Sequence, residues 1–443
     1  MNIQLSEHFT YGKLLKFTFP SIIMMVFTSI YGVVDGVFVS NFAGSESFAA
    51  VNLIMPFLMI LGAIGFMLGT GGSALVAFIL GTGDGQKANR VFSLMVYVLI
   101  VLGGIFMVGG ILFMEPMARL LGADEAMLPV CVQYGRIVML GLIPFMLQNT
   151  FQSFLVTAER PHFGLYITIA AGVTNMALDA LFVGVFRWGV AGAAAATVIS
   201  QIVGGVIPLV YFICPNKSKL RLGKTKMDFR MLGKAAANGS SEFMTNVSMS
   251  LVNMLYNWQL MRLIGAQGVA VFGIIMYVSF IFAAIFIGYS MGSAPVIGFH
   301  YGAGNKEELK GLFRKSLWIL LVFSVVLTGL AMMLAKPLAM IFVAYDAELL
   351  ELTKRALTIY SLAFLMSGFN IFASSFFTAL NDGLTSALIS FGRTLMFQVG
   401  SVLLLPLIFD VDGIWAAVIL AEGLALILSA VCVIRNRKKY GYA

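Results

Sequence analysis

Apolar stretches of about 20 residues or more, each long enough to cross the hydrocarbon of a bilayer, follow one another from Leu14 to the C-terminal tail. No interval between them has room for a soluble domain. The chain of 443 residues is 60% hydrophobic and only 11% charged, with a mean hydropathy of +0.96. Soluble domains carry about 25% charged residues, so too few polar groups remain here to cover a water-facing surface.

The breaks between runs place helices near 14–42, 47–80, 91–114, 129–158, 163–186 and 190–213, then near 233–263, 267–300, 312–335, 350–380, 384–408 and 412–434. The expected fold is an all-α integral membrane protein of twelve transmembrane helices in two parallel six-helix repeats. The run that begins after Lys13 and Lys16 far exceeds the ~7 to 15 residues of a signal-peptide core, which makes it a retained first helix. The halves echo each other. Gly72-Ser73-Ala74, Gly81-Thr82-Gly83-Asp84 and Val91-Phe92 recur as Gly292-Ser293-Ala294, Gly302-Ala303-Gly304-Asn305 and Leu312-Phe313, and Thr157-Ala158 recurs as Thr378-Ala379. An even number of helices per half makes the repeats parallel, with a cavity between them as the natural path. The expected division is 1–214 for an N-lobe, 215–232 for a basic cytoplasmic linker, 233–434 for a C-lobe and 435–443 for a basic cytoplasmic tail.

Basic residues set the orientation. With a cytoplasmic N-terminus, the inner segments receive Lys13, Lys16, Lys87, Arg90, Arg160, the seven cations from Lys217 to Lys234, the group Lys306, Lys310, Arg314 and Lys315, and the tail's Arg435, Arg437, Lys438 and Lys439. The outer segments receive only Arg119, Arg136, Arg187, Arg262, Lys336, Lys354 and Arg355. The expected placement is therefore the cytoplasmic (inner) membrane with both termini inside, and the formal net charge of +8 speaks to topology rather than to nucleic acid. Cys131, Cys214 and Cys432 lie far apart with no CxxC spacing, and His8, His162 and His300 are equally scattered, so disulfides and zinc find no support.

Ionisable groups at bilayer depth cost roughly 2.5 to 3.5 kcal/mol each on insertion scales and stand as functional hypotheses. Asp35 lies six residues before Asn41 at the outer end of helix 1 and Asp179 eight before Arg187 in helix 5, about 9 and 12 Å in along the helical rise. Asn175 shares the face of Asp179 one turn away, and Thr197 in helix 6 falls at a similar depth. Two carboxylates brought close repel and need a shared cation; a proton serves, and the same oxygens suit Na⁺. Asp35, Asn175, Asp179 and Thr197 are thus the ion-coupling candidates, with Na⁺ at the first three as one form of the site. In the second half, Arg393 and Glu422 on consecutive helices read as a structural ion pair, whereas Glu242 either pairs with Arg393 or faces the cavity. Glu242, Tyr31, Asn149 and Gln201 are the candidates for the substrate cavity.

Gly65 and Gly69 have the spacing of close helix packing, and no strand precedes them to make a nucleotide fold. A membrane-embedded enzyme lacks support: no HExxH, no GxSxG and no nucleophile beside a base.

Taken in order, Tyr31 to Val39, Asn52 to Pro56, Asn175-Met176-Ala177-Leu178-Asp179, Gly189 to Thr197 and the Gly302-Ala303-Gly304-Asn305 turn resemble the multidrug and toxic compound extrusion (MATE) transporters of prokaryotes over nearly the whole chain. The resemblance implies a V-shaped, bilobed transporter that alternates access and exchanges H⁺ or Na⁺ for lipophilic organic cations, with no cofactor, as a monomer in the bilayer. It assigns the N-lobe ion site to Asp35, Asn175 and Asp179, with Thr197 at the helix 6 threonine. Gly239-Ser240-Ser241-Glu242-Phe243 departs from the family's Gly-x-Pro opening of helix 7. A flippase for lipid-linked oligosaccharides, from the same superfamily, is the alternative; it would need cavity cations, for which Arg393 is the candidate.

Overall fold

The computed structural model describes residues 3–42, 45–344 and 346–442, with the side chains at 36, 37, 39–42, 45–49 and 266 outside that description. Of the helix 1 motif, Gly36, Val37 and Val39 therefore lie outside it, as does the side chain of Asn41.

Among the described residues every regular element is helical. The first half comprises α1 (Tyr11–Phe42), α2 (Ser45–Gly81), α3 (Gly85–Leu112), α4 (Leu128–Leu140 continued by Leu142–Thr157), α5 (Pro161–Val185) and α6 (Gly189–Ile213), with a short helix at Met114–Leu120 between α3 and α4. The second comprises α7 (Phe229–Ile264), α8 (Ala266–Gly302), α9 (Lys306–Val343), α10 (Ala347–Ser361 continued by Phe364–Ala379), α11 (Gly383–Leu404) and α12 (Pro406–Tyr440). Nine of these are long and apolar enough to span as single helices, and α4 and α10 do so as bent pairs. The twelfth, α7, carries Arg230, Lys234, Glu242 and Arg262, which lowers its hydropathy, but its 36 residues extend about 54 Å.

The repeat is visible in the irregularities. The fourth helix of each half is broken, by 54° in α4 and 48° in α10. The fifth helix of each half contains a π-turn, Ala180–Val185 in α5 and Gly392–Phe397 in α11.

Two apolar cores form, one per half, and they mix at one end only. The second-half core takes in Leu5, Phe9, Leu14, Phe17 and Ile22 from the start of the chain, while the first-half core takes in Ala235 of α7. Along α2 the partner changes. Gly65 and Gly69 lie against the backbone of Met146 and Thr150 in α4 of their own half, whereas a Cβ on Gly71 would stand 2.1 Å from the Ala235 carbonyl of α7. Gly239 of α7 returns the contact against Met67, Gly302 of α8 meets Phe78, and Gly288 and Gly292 of α8 meet Ile22 and Thr18 of α1. Small residues let backbones approach this closely. All of these lie toward the end that carries the N-terminus; at the other end Gly32 of α1 and Gly273 of α8 meet nothing within 4 Å. The halves are sealed together along a glycine seam at one end and part toward the other.

The terminal segments are docked. Leu5 N donates to Glu159 Oε1 of the first half at 2.9 Å, while Phe9 N donates to Glu308 Oε1 of the second at 2.9 Å and Lys315 Nζ donates to the Phe9 carbonyl at 2.5 Å. The chain's first residues thus strap both halves across the sealed end. At the far end of the sequence α12 continues as helix through Arg435–Lys439 to Tyr440, and the Tyr440 hydroxyl donates to Asp382 Oδ2 at 2.6 Å.

Candidate functional site

Asp179 closes the regular part of α5 and the π-turn starts at the next residue. Such a turn inserts one residue into the helical phase and recurs at functional sites. Here it rotates the last part of α5 relative to the face that carries Asn175 and Asp179, both buried, Asp179 with 0% of its surface exposed. α1 packs along α5, and its Asp35 carboxyl faces Asn175 and Asp179. Asp35 Oδ1 and both carboxylate oxygens of Asp179 are buried without a hydrogen-bond donor. Among the described residues no Lys or Arg acts on either group. The two acids and the amide expected to meet do meet, without a permanent positive neighbour.

That arrangement dictates its chemistry. A buried polar atom without a partner costs about 1 to 3 kcal/mol, more when charged, and two adjacent buried carboxylates cannot both stay bare. A cation that binds between them removes both costs. The amide oxygen of Asn175 adds a third oxygen ligand suited to H⁺ carriage through a hydrogen bond or to direct coordination of Na⁺.

Thr197 is half-buried on α6, and its carbonyl accepts the Ser200 hydroxyl at 2.8 Å; it is not among the groups that hydrogen-bond Asp35 or Asp179. Tyr31 lies one turn before Asp35 and is hydrogen-bonded to Gln148 of α4. Asn149 is buried with its Nδ2 unpartnered, and Gln201 of α6 turns an unpartnered Oε1 toward Gly141 at the break in α4. Of these three only Tyr31 is placed beside the acid pair, one turn before Asp35; Asn149 and Gln201 lie along α4 and its contact with α6.

Three neighbours escape a reading of the sequence. Tyr134, buried, lies within electrostatic reach of both carboxyls, and Tyr277 reaches Asp35 from the opposite half. Gln148 holds Tyr31. A signal existed for the last: Gln148, Asn149 and Gln152 share two turns of a membrane helix, where amides are costly.

In the second half the geometry matches the expected ion pair. Arg393, inside the π-turn of α11, places Nε 2.8 Å from Glu422 Oε1 and 3.1 Å from Oε2, with a second nitrogen at 2.8 Å. Asn370 of α10 donates to Glu422 Oε2 at 2.7 Å and Ser429 donates to Asn370 Oδ1 at 3.0 Å. Glu242 is half-buried; it feels Arg393 but makes no ion pair with it, so of the two roles open to it the fixed pair is excluded.

The MatE family model matches two stretches of the chain, residues 20–181 and 243–402, one in each half. Over 424 residues the chain is 23% identical to the Multidrug export protein MepA of Staphylococcus saprophyticus, spanning 95% of this chain and 91% of that protein. With the MepA of Staphylococcus haemolyticus it shares 22% over 440 residues, 97% of this chain and 95% of that protein. Among solved structures, it superposes on an outward-facing conformation of a multidrug resistance MATE transporter with a TM-score of 0.91 at 22% identity, over 98% and 97% of the two chains. A MATE transporter in a bent conformation matches with a TM-score of 0.86 at 22% identity, over 97% and 95%.

Proposed function

The chain belongs to the MatE family of membrane transporters, and from that premise we propose that it exports lipophilic organic cations in exchange for H⁺ or Na⁺ by alternating access. It is a multi-pass secondary transporter of the cell membrane and not an enzyme. The observation that carries the proposal is the pair Asp35, half-buried with its Oδ1 out of solvent, and Asp179, fully buried, facing each other and unneutralised by any Lys or Arg among the described residues.

One helix connects the pair to the seam. α1 carries Asp35 toward its far end and Thr18 and Ile22, which touch α8 across the seam, near its start. The thirteen residues from Ile22 to Asp35 span about 20 Å. A cation bound at the pair alters how α1 sits on α5, and the same rigid element bears on the contact that holds the halves shut. Occupancy can then bias one state over the other by the difference in its affinity for the two. With the N-terminus inside, as the basic residues favour, the sealed end is cytoplasmic and this state faces outward.

Efflux of ethidium from cells or proteoliposomes, with pH and sodium gradients imposed separately, tests the reading. Asp35→Asn and Asp179→Asn should each abolish gradient-driven efflux while leaving the protein folded; efflux unchanged in both would reject the ion-site assignment. The flippase alternative asks for a free cation in the path, and Arg393 is already neutralised by Glu422.

A further inference from the structure

A cavity of about 630 Å³ lies well away from the acid pair, at the sealed end of the molecule. Its walls are the first turns of α3, the end of the segment that joins the halves and the start of α7. The joining segment is strapped to α3: Arg221 N donates to Asn89 Oδ1 at 2.8 Å, Gly223 N to Ser93 Oγ at 3.0 Å, Thr225 Oγ1 to the Arg90 carbonyl at 3.0 Å and Tyr97 Oη to the Gly223 carbonyl at 3.2 Å. The cavity is therefore a built feature with fixed walls.

Four cations line it: Lys87 and Arg90 from α3, Lys224 and Lys226 from the joining segment. Among the described residues none of the four makes an ion pair, whereas Arg119, Lys354 and Arg393 elsewhere all do. The one acid on the rim, Asp228, is engaged as the cap of α7, accepting from Arg230 N and Met231 N at 3.1 Å each. Four cations against one carboxylate leave a cavity of this size net positive, which suits an anion.

Its surroundings identify which. Met227 and Phe229, on the rim, are 58% and 77% exposed. Arg90, Tyr97 and Val101 fall on one face of α3 by helical spacing, and Tyr97 and Val101 are exposed. The cations thus stand where the polar end of α3 gives way to its lipid-facing run, at headgroup depth, with apolar surface leading away from them. Basic pockets of this kind between transmembrane helices take acidic lipid headgroups.

We propose that this cavity binds the phosphate headgroup of an anionic phospholipid from the leaflet on the N-terminal side, with Lys87, Arg90, Lys224 and Lys226 around the phosphate and the acyl chains descending past Phe229 and along α3. The walls come from both halves, α3 from the first and α7 from the second, so a bound lipid favours the arrangement in which they are together.

Native mass spectrometry of the detergent-purified protein tests this, with phosphatidylglycerol, phosphatidylcholine and inorganic phosphate as separate probes. Phosphatidylglycerol should be retained in preference to phosphatidylcholine. Two variants, Arg90→Gln/Lys226→Gln and Lys87→Gln/Lys224→Gln, should each weaken that retention roughly tenfold or more, while Lys310→Gln/Arg314→Gln, an equal loss of charge elsewhere, should leave it unchanged. The two cavity variants guard against a folding defect in either one. Equal retention in both, no preference between the lipids, or displacement of phosphatidylglycerol by matched inorganic phosphate would each overturn the assignment.

Discussion

Replacing Gly71 by alanine puts a methyl group into the seam between α2 and α7. The new Cβ would lie 2.1 Å from the Ala235 carbonyl oxygen, 2.4 Å from Gly239 N and 2.9 Å from Gly239 Cα, against an ordinary contact beginning at 3.4 Å. Every obstructing atom is backbone, so no rotamer change relieves the overlap and the helices must separate locally by about 1.3 Å, the difference between 3.4 and 2.1 Å. Overpacking of this kind costs about 1 to 3 kcal/mol. The cost falls only on the state in which α2 and α7 touch, so the equilibrium shifts away from that state by about fivefold to a hundredfold. Spin labels at Thr82→Cys in the turn after α2 and Lys310→Cys in α9, in a Cys214→Ser background because Cys131 and Cys432 are buried, report the separation at the sealed end. The Gly71→Ala protein should gain a longer-distance population at the expense of the short one. Gly104→Ala in α3, where nothing lies within 4 Å of the added methyl, should change nothing. A folded Gly71→Ala protein with the distance distribution of the parent would refute the claim that this seam holds the halves shut.

Arg393→Met should leave Glu422 buried and uncompensated, costing about 3 to 5 kcal/mol in unfolding measurements in detergent, and Arg393→Met/Glu422→Met should recover most of that; equal losses would show that the pair is not the cause. Burial alone would push the Asp382 carboxyl up, but bonds from Tyr440, Thr385 and Lys439 outweigh it and hold the group below its ordinary value. Its contribution is therefore present above the unfolded pKa of about 3.9 and is lost as the pH falls through the lower folded one, so Asp382→Asn should cost about 1.5 to 3 kcal/mol at neutral pH and flatten the acid limb of thermal stability. Glu159→Gln with Glu308→Gln should loosen the N-terminal strap and raise protease cleavage within residues 3–10, while either change alone should do less.

Much of this architecture is legible in the chain because lipid imposes one rule on every span. All twelve helices fall where apolar runs predict them, and the sequence-read boundaries differ most in α9, expected over 312–335 and observed from Lys306 to Val343, where the polar first turns past Asn305 continue the helix beyond the bilayer. Asp35, Asn175 and Asp179 could be grouped by depth alone, since few polar groups compete for attention in an apolar helix. The break in α4 is partly legible too, since Pro144 cannot donate to the Leu140 carbonyl and the helix bends at Gly141. The break in α10 and the two π-turns could not be read: no proline marks Leu362, and a π-turn depends on which neighbour a helix face must meet, which is a tertiary matter. The polar first twelve residues likewise conceal that Leu5 and Phe9 are buried in the second-half core.

The two halves treat the same problem in opposite ways. Each brings an ionisable side chain to a π-turn in its fifth helix, Asp179 beside the turn of α5 and Arg393 inside that of α11. In the second half Arg393 and Asn370 hold the Glu422 carboxylate, and Ser429 in turn holds Asn370, so removing Arg393 leaves a buried charge in an apolar medium and the electrostatics of that pair are fixed. In the first half the corresponding cost is left standing, because Asp35 and Asp179 face each other with no Lys or Arg beside them among the described residues and three of their four oxygens unpartnered. A gradient of small cations can act only where a charge is still uncompensated. On the proposed assignment of the ion site to Asp35 and Asp179, the response to a coupling ion starts in the first half, at α1 and α5, and reaches the second through the contact of Thr18 and Ile22 with α8, which predicts that Glu422→Gln lowers stability with little effect on ion selectivity, and Asp179→Asn the reverse.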